Sequence, residues 1–324
     1  MIKNRFVLID AFALIFRAYY ALPPSLTKDG HSIAAVYGFA SALLSSIKTL
    51  QPEYLAVGME YPKPTLRHQE FKEYKAHRPP PPDDLIAQVP YVKDLLKTMN
   101  IPTYSIEGYE GEDVIATIIK LTANGKRLTA HSSDKDTKNQ PAVSREPSAV
   151  SRLEYIIVTG DLDLLQLIDE QTRVYSMARG INQAAIYDEK KVVERYGLKP
   201  SQFVDFKALK GDTSDNIPGV PGIGEKGAAK LIIEYENLDK IYQNIEKITG
   251  KIHHLLTEFK EQAYMSQKLS QINANAPLEF NLADARIHHY NQKETIALFQ
   301  KLGFKSLIAR LPQEAKPQAQ PKLF

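Results

Sequence analysis

The sequence predicts an α/β fold, a central and mostly parallel sheet flanked by helices, followed by a second, helical unit. Short apolar runs, Phe6 to Ile9, Tyr54 to Val57 and Tyr155 to Val158, alternate with longer helical patterns such as Ala34 to Leu50 and Asp83 to Met99. Each of the three runs ends at or beside an acidic residue, Asp10, Glu60 or Asp161, and open α/β sheets place ligands outside the carboxyl ends of their strands. Beyond Asp188 the pattern becomes mostly helical, with turn clusters from Gly211 to Gly224.

These observations divide the 324 residues into an α/β unit over 1–188, a helical unit over 189–311 with a hairpin at 211–232, and a flexible tail over 312–324. Within the first unit, Gly125 to Arg152 is poor in apolar residues and shows no period, which predicts an exposed insertion. The 41 basic and 38 acidic residues leave a formal charge of +3. A nucleic-acid surface, if present, is therefore local rather than spread over the whole chain. The absence of Cys excludes disulfides, thiolate zinc sites and a cysteine nucleophile. No signal-peptide pattern follows the N-terminal apolar stretch, and no run approaches the ~20 apolar residues of a membrane span. The expected location is the cytoplasm, at the nucleoid.

Acidic residues recur at equivalent junctions. Glu110, Glu112 and Asp113 open an apolar helical pattern, as do Asp161 and Asp163, and Asp212 and Asp215 stand in the turn cluster. A single such pair commonly caps a helix. Several pairs converging from different strand ends would repel one another and call for divalent cations. Oxygen ligands without Cys or organised His favour Mg²⁺ or Mn²⁺ over Zn²⁺. Asp134 and Asp136 lack a flanking strand and helix and are set aside; the adjacent pairs His253-His254 and His288-His289 are read as surface residues.

Between Leu66 and Asp84, Arg67, Lys72, Lys75, His77 and Arg78 interleave with Phe71 and Tyr74. Cations for phosphates and rings for bases suit single-stranded nucleic acid, whereas the plainer reading is a solvated basic helix face. The prolines at 79–82 would stop that helix. From Gly219 to Ile232 the glycine spacing is that of a helix-hairpin-helix, in which backbone N–H groups meet a DNA phosphate. Gly219, Gly222, Gly224 and Lys226 are its candidate DNA contacts.

Taken in order, IDAFALIFRAYYAL, YKAHRPPPPDDL, GYEGEDVIATII, VTGDLDLLQLI and ALKGDTSDNIPGVPGIGEKGAAKLI resemble the motifs of the 5′-nuclease domain of bacterial DNA polymerase I, the flap endonuclease family, from Asp10 to about Leu311. The resemblance implies a PIN-like nuclease domain with a helical arch over about 64–84, then a helix-three-turn-helix DNA-binding domain. It implies a structure-specific 5′-3′ exonuclease and 5′-flap endonuclease acting in replication and repair on DNA with a flap, nick or free 5′ end. Two metal ions, Mg²⁺ or Mn²⁺, would be held by Asp10, Glu60, Glu110, Glu112, Asp113, Asp161, Asp163, Asp212 and Asp215, and K⁺ is a further candidate at the hairpin. Lys75 and Arg78 would neutralise charge on the reacting phosphate, Tyr74 would stack on a base, and Arg17 and Lys72 would contact the strand.

Glu60 and Glu112 depart from the family, which commonly has Asp at both places. The alternative reading follows from them: a branched-DNA-binding module of the same fold with weakened catalysis. A glycosylase, the other hairpin-bearing candidate, leaves the acidic clusters unexplained. The last five residues, with Gln320, Leu323 and Phe324, resemble the Gln-x-x-Leu-Phe motif that docks bacterial proteins on the sliding clamp, against the plainer reading of a chance ending on a tail.

Overall fold

The centre of the sheet is β1 (Asn4–Asp10), whose residues alternate between two cores: Phe6 and Leu8 enter one, Val7 and Ile9 the other, and all four are fully buried. A strand covered on both faces reads as an unbroken apolar run. The computed structural model describes residues 4–27, 30–123, 153–178, 180, 183–287 and 290–312. The predicted insertion with Asp134 and Asp136, the pair His288-His289, and Gln320, Leu323 and Phe324 lie outside them.

After β1 the chain runs through α1 (Ala11–Ala21), α2 (Ala34–Leu50), β2 (Tyr54–Gly58), α3 (Leu66–Glu70), α4 (Asp83–Ile86), α5 (Val89–Thr98), β3 (Thr103–Tyr104) and α6 (Gly111–Ala123). It then adds β4 (Leu153–Thr159), β5 (Thr172–Ser176) and β6 (Ala185–Tyr187). The strand order is β3-β2-β1-β4-β5-β6, parallel throughout except for the antiparallel β5–β6 edge. Because β2 and β4 flank β1 on opposite sides, the winding direction reverses at β1. The carboxyl ends of these three strands therefore open a crevice at the topological switch point.

The expected helix from Asp83 to Met99 is broken into α4 and α5. At the break, the buried Gln88 accepts hydrogen bonds from the backbone N–H groups of Ala35 (2.8 Å) and Val36 (3.4 Å), and its amide donates to Ser32 Oγ and Asp84 O. It thereby satisfies the otherwise uncapped start of α2. The expected arch helix is also shorter: α3 ends at Glu70, and residues 72–77 form turns with Lys75 at φ +55°. Long-range bonds account for this, since Lys75 N–H donates to Asp215 O, Arg78 Nε to Ser214 O and the Asn216 amide to Glu73 O.

The helical part comprises α7 (Glu189–Tyr196), α8 (Phe203–Lys210), α9 (Glu225–Tyr235), α10 (Leu238–Gln243), α11 (Gly250–Glu258) and α12 (Lys260–Ser270). Its start falls where β6 gives way to α7. Its end differs from the expected boundary: Phe280 stacks on Phe6 at 5.7 Å, Arg286 bridges to Tyr54, and α13 (Gln292–Lys301) and α14 (Lys305–Ile308) send Phe299 and Leu307 into the core beneath α2. The last 30 or so described residues thus belong by packing to the α/β layers. No helix among the described residues is long and apolar enough to cross a membrane.

The hairpin joins α8 to α9. Gly211 and Gly219 both have positive φ, and a Cβ on Gly219 would stand 2.2 Å from Gly211 N, so this close approach requires glycine. Ile223 anchors the turn in the core while Gly222, Gly224 and Lys226 remain exposed. Helix α9 starts at Gly224 without a side-chain cap, which leaves its first N–H groups outward as an anion site requires.

Candidate active site

The crevice at the switch point is a cleft of ≈ 640 Å³ lined by Asp10, Glu60, Glu110, Glu112 and Asp161. They arrive from four junctions. Asp10 ends β1 and caps α1 through Ala13 N–H; Glu60 follows β2; Glu110 and Glu112 flank the start of α6; Asp161 follows β4. Gly58 and Gly111 let the end of β2 meet the start of α6, because a Cβ on Gly58 would lie 2.7 Å from Gly111 O.

Asp163, Asp212 and Asp215 form a neighbouring group. Asp163 donates its N–H to Asp161 Oδ1 at 2.9 Å, which ties the two groups together. Lys207 forms ion pairs with both Asp163 and Asp212, the latter at 2.6 Å. Tyr74 OH lies 3.3 Å from Glu110 Oε2 and 3.2 Å from Asp215 Oδ2, linking the groups a second time.

Electrostatics follow from this crowding. Burial, opposed by the Thr159 hydrogen bond and reinforced by Asp161, pushes the Asp10 carboxyl up to about 7. Burial and Asp161 raise Asp163 to about 6 despite Lys207. Asp212 shares the same lysine yet goes the other way: against burial, Lys207 and two hydrogen bonds from Ser214 hold it at about 2. Glu112 is raised by burial and by Glu110. Glu60 is raised by the surrounding protein, opposed by Lys75.

Cations roof the cleft. Lys75 Nζ meets Glu110 at 2.7 Å, and Arg78 pairs with Asp215. Both are held in charged form because nearby carboxylates outweigh their burial. Among the described residues no three acidic or imidazole side chains close into a ligand cage. The donor set nevertheless fits a hard divalent cation: it is all carboxylate oxygen, several members carry raised pKa values that a cation would lower, and Mg²⁺ needs only one or two direct carboxylates with water filling the rest.

Four expectations are corrected. Gly219 offers no N–H to a DNA phosphate: it is buried, and its N–H is donated to Ser266 Oγ at 3.1 Å. Asp113 does not face the cleft: its oxygens accept bidentate bonds from Arg67 (2.8 Å each) and the N–H groups of Glu110 (3.0 Å) and Asn273 (2.7 Å). All four lone-pair positions are thereby used. Arg67 is not a surface phosphate contact but 8% exposed, also donating to the carbonyls of Leu269 and Gln271. Tyr74 is 2% exposed, covered by Ile217 and Leu269, so its ring offers no stacking face in this arrangement. Of the remaining candidates, Lys72 is exposed, and the stem of Arg17 runs beside Gly160 toward Gly180.

Sequence reasoning missed Lys207, whose contact with Asp212 five residues on depends on the turn that follows the end of α8 at Lys210. It also missed Thr159, and Gln166, which donates to Asp163 O and Ser270 O and accepts from Ile272 N–H. Only the fold brings those partners together.

Comparison with known proteins places this geometry. The pattern of the 5′-3′ exonuclease N-terminal resolvase-like domain matches residues 5–140, and that of the 5′-3′ exonuclease C-terminal SAM fold matches residues 198–293. DNA polymerase I of Bacillus subtilis is 36% identical over 97% of the chain, and that of Chloroflexus aurantiacus 38% identical over 94%. The chain spans about a third of the length of these relatives, 33% and 30% respectively. Among solved structures, the bacteriophage T5 D15 protein co-crystallised with metal ions has the same fold, at TM-score 0.65 and 20% identity over 92% of this chain and 100% of that one. The catalytic core of Rad2 in complex with DNA substrate shares it at TM-score 0.54 and 14% identity, over 95% and 93%. Both halves of the chain thus carry the two domains of one nuclease lineage, and the chain belongs to the 5′-3′ exonuclease family.

Proposed function

We propose that this chain is a structure-specific 5′-3′ exonuclease and 5′-flap endonuclease that hydrolyses DNA phosphodiester bonds with two divalent ions, Mg²⁺ or Mn²⁺, in primer or flap removal and repair at the nucleoid. The observation that carries the proposal is the convergence of five carboxylates from three strand ends and the start of α6 on one cleft, with Lys75 and Arg78 above it.

When bound, the ions supply an activated water and stabilise charge on the attacking and leaving oxygens. Asp10, Glu60, Glu110, Glu112 and Asp161 would hold one ion, and Asp163, Asp212 and Asp215 the neighbouring one. Asp113 leaves the ligand set and acts by fixing Arg67 and the backbone of Glu110. Lys75 and Arg78 supply positive charge where the phosphate enters, a preorganised stabilisation of the kind that dominates such reactions. The exposed glycines and Lys226 of the hairpin would take a duplex phosphate, with K⁺ as the proposed counter-ion there, while Arg17 and Lys72 contact the strand. Glu60 and Glu112 each add a methylene to the reach of a carboxylate, a change a water-bridged ligand tolerates.

A 5′-labelled flap incubated with Mg²⁺, Mn²⁺ or EDTA should be cut near its junction only when metal is present, and Asp163→Ala should lose on the order of 10²-fold or more in rate. Repeating the assay with Na⁺ in place of K⁺ tests the hairpin ion. Tight flap binding without cutting under either metal would instead identify a binding module.

The sliding clamp is the proposed partner of Gln320, Leu323 and Phe324, because a Leu-Phe pair suits a hydrophobic pocket and a second contact raises local concentration at nicks. Clamp pull-down should recover the parent chain and lose the Leu323→Ala/Phe324→Ala variant; equal recovery of both would refute the contact.

A further inference from the structure

Thr159 is the last residue of β4 and is fully buried. Its hydroxyl donates to Asp10 Oδ2 at 2.7 Å and accepts the N–H of Asp161 at 2.9 Å. The parallel register that sets Ile9 beside Val158 brings Asp10 and Thr159 together at the ends of adjacent strands. The chain of donors continues from Asp163 N–H to Asp161 Oδ1. The two bonds that meet at the Thr159 hydroxyl polarise one another, and the third fixes the Asp161 carboxylate from the other side.

One of the two lone pairs of this hydroxyl accepts Asp161 N–H, and its single proton is directed to Asp10. Among the described residues it is the one side chain that donates a hydrogen bond to Asp10, whose other bond comes from Ala13 N–H at a longer 3.3 Å. One oxygen thereby fixes both a carboxylate rotamer on β1 and the backbone turn that presents the carboxylate after β4.

Resting on the metal-dependent reading above, we infer that Thr159 is a positioning residue of the metal centre. It holds Asp10 and Asp161 as a preformed pair and raises affinity for the divalent ion, without itself touching ion or DNA. Outer hydrogen-bond partners of this kind are worth roughly 10- to 100-fold in metal affinity.

The test is Mn²⁺ binding, followed by the electron paramagnetic resonance of free Mn²⁺, for the parent chain, Thr159→Val and Thr159→Ser, alongside flap cleavage across a Mn²⁺ series. Val keeps the shape and removes the hydroxyl; Ser keeps the hydroxyl and removes the methyl. Thr159→Val should bind Mn²⁺ about 10- to 100-fold more weakly and need correspondingly more metal for half-maximal cleavage, with the rate at saturating Mn²⁺ close to the parent's. Thr159→Ser should match the parent. Parent-like affinity in the Val variant, or equal weakening in Val and Ser, would overturn the inference, the second outcome assigning the effect to packing. Should Thr159→Val fail to fold, Thr159→Cys keeps a similar volume with a weak donor and should bind Mn²⁺ more weakly than Thr159→Ser but by less than the loss expected of Thr159→Val; an unshifted Cys variant overturns the inference equally. A parent chain that binds no Mn²⁺ would sink the metal-dependent reading itself, an outcome visible before any variant is compared.

Discussion

Asp10→Asn is expected to lose metal-dependent cleavage by on the order of 10³-fold while leaving the metal-free protein more stable than the parent. The two effects share one cause. Asp10 is 9% exposed, and its carboxyl is pushed up to about 7 because burial is only partly offset by Thr159. The folded chain thus keeps this proton to near neutrality, whereas the unfolded chain releases it near the ordinary 3.8. Between those values the folded state binds more protons, so stability falls as pH rises from about 4 to about 7 and stays low above. Each pKa unit corresponds to about 1.4 kcal/mol, so the carboxylate costs several kcal/mol at pH 8. Asn carries no charge, fills the same volume and still caps α1 with its one oxygen, while its amide N–H takes the place of Oδ2 and donates to the second lone pair of Thr159 Oγ. In EDTA the melting temperature of the variant should match the parent's near pH 4 and rise above it progressively to pH 7. Adding Mg²⁺ should raise the melting temperature of the parent more than that of the variant, by mass action. A pH-independent difference, or retained cleavage, would contradict this account.

The same balance explains which parts of the site were legible in the sequence. Asp10, Glu60 and Asp161 could be placed at one crevice because apolar runs ending in an acid mark strand ends, and three parallel strands bring their ends together. The runs Phe6 to Ile9, Tyr54 to Val57 and Tyr155 to Val158 lie within β1, β2 and β4, and the pattern Ala34 to Leu50 is α2 itself. Partners distant in sequence were not legible. Arg67 and Asp113, 46 residues apart, form a buried pair that no local spacing announces. Tyr74 reads the same in sequence whether it stacks on a base or fills a core; the meeting of Ile217 and Leu269 around it decides for the core. The break at Gln88 has a similar origin, since its partners Ala35 and Val36 lie more than 50 residues upstream.

Arg67→Ala should be among the most damaging substitutions for folding, costing about 3–5 kcal/mol. The guanidinium is nearly enclosed, pairs with Asp113 in bidentate fashion, lies 3.6 Å from Glu110 and 3.5 Å from Glu112, and satisfies two carbonyls at the end of α12. Removing it leaves a buried carboxylate unpaired and orphans both carbonyls. Deleting the partner as well would not restore stability as it does for simple buried pairs, because Asp113 also receives the N–H groups of Glu110 and Asn273. A double-mutant cycle with Arg67→Met and Asp113→Leu, read by urea denaturation, should therefore give a double variant still well below the parent. The mechanism ties folding to function. Arg67 joins the base of the segment carrying Lys75 and Arg78 to α6, where Glu110 and Glu112 arise, and to the end of α12. Helix α12 in turn holds Gly219 of the hairpin, through Ser266 Oγ accepting its N–H and Gln262 donating to its carbonyl. Loosening this junction should weaken cleavage and duplex binding together, whereas Asp163→Ala should spare duplex binding. An Arg67→Ala variant with parent-like urea stability would show that the junction contributes no more than a surface ion pair.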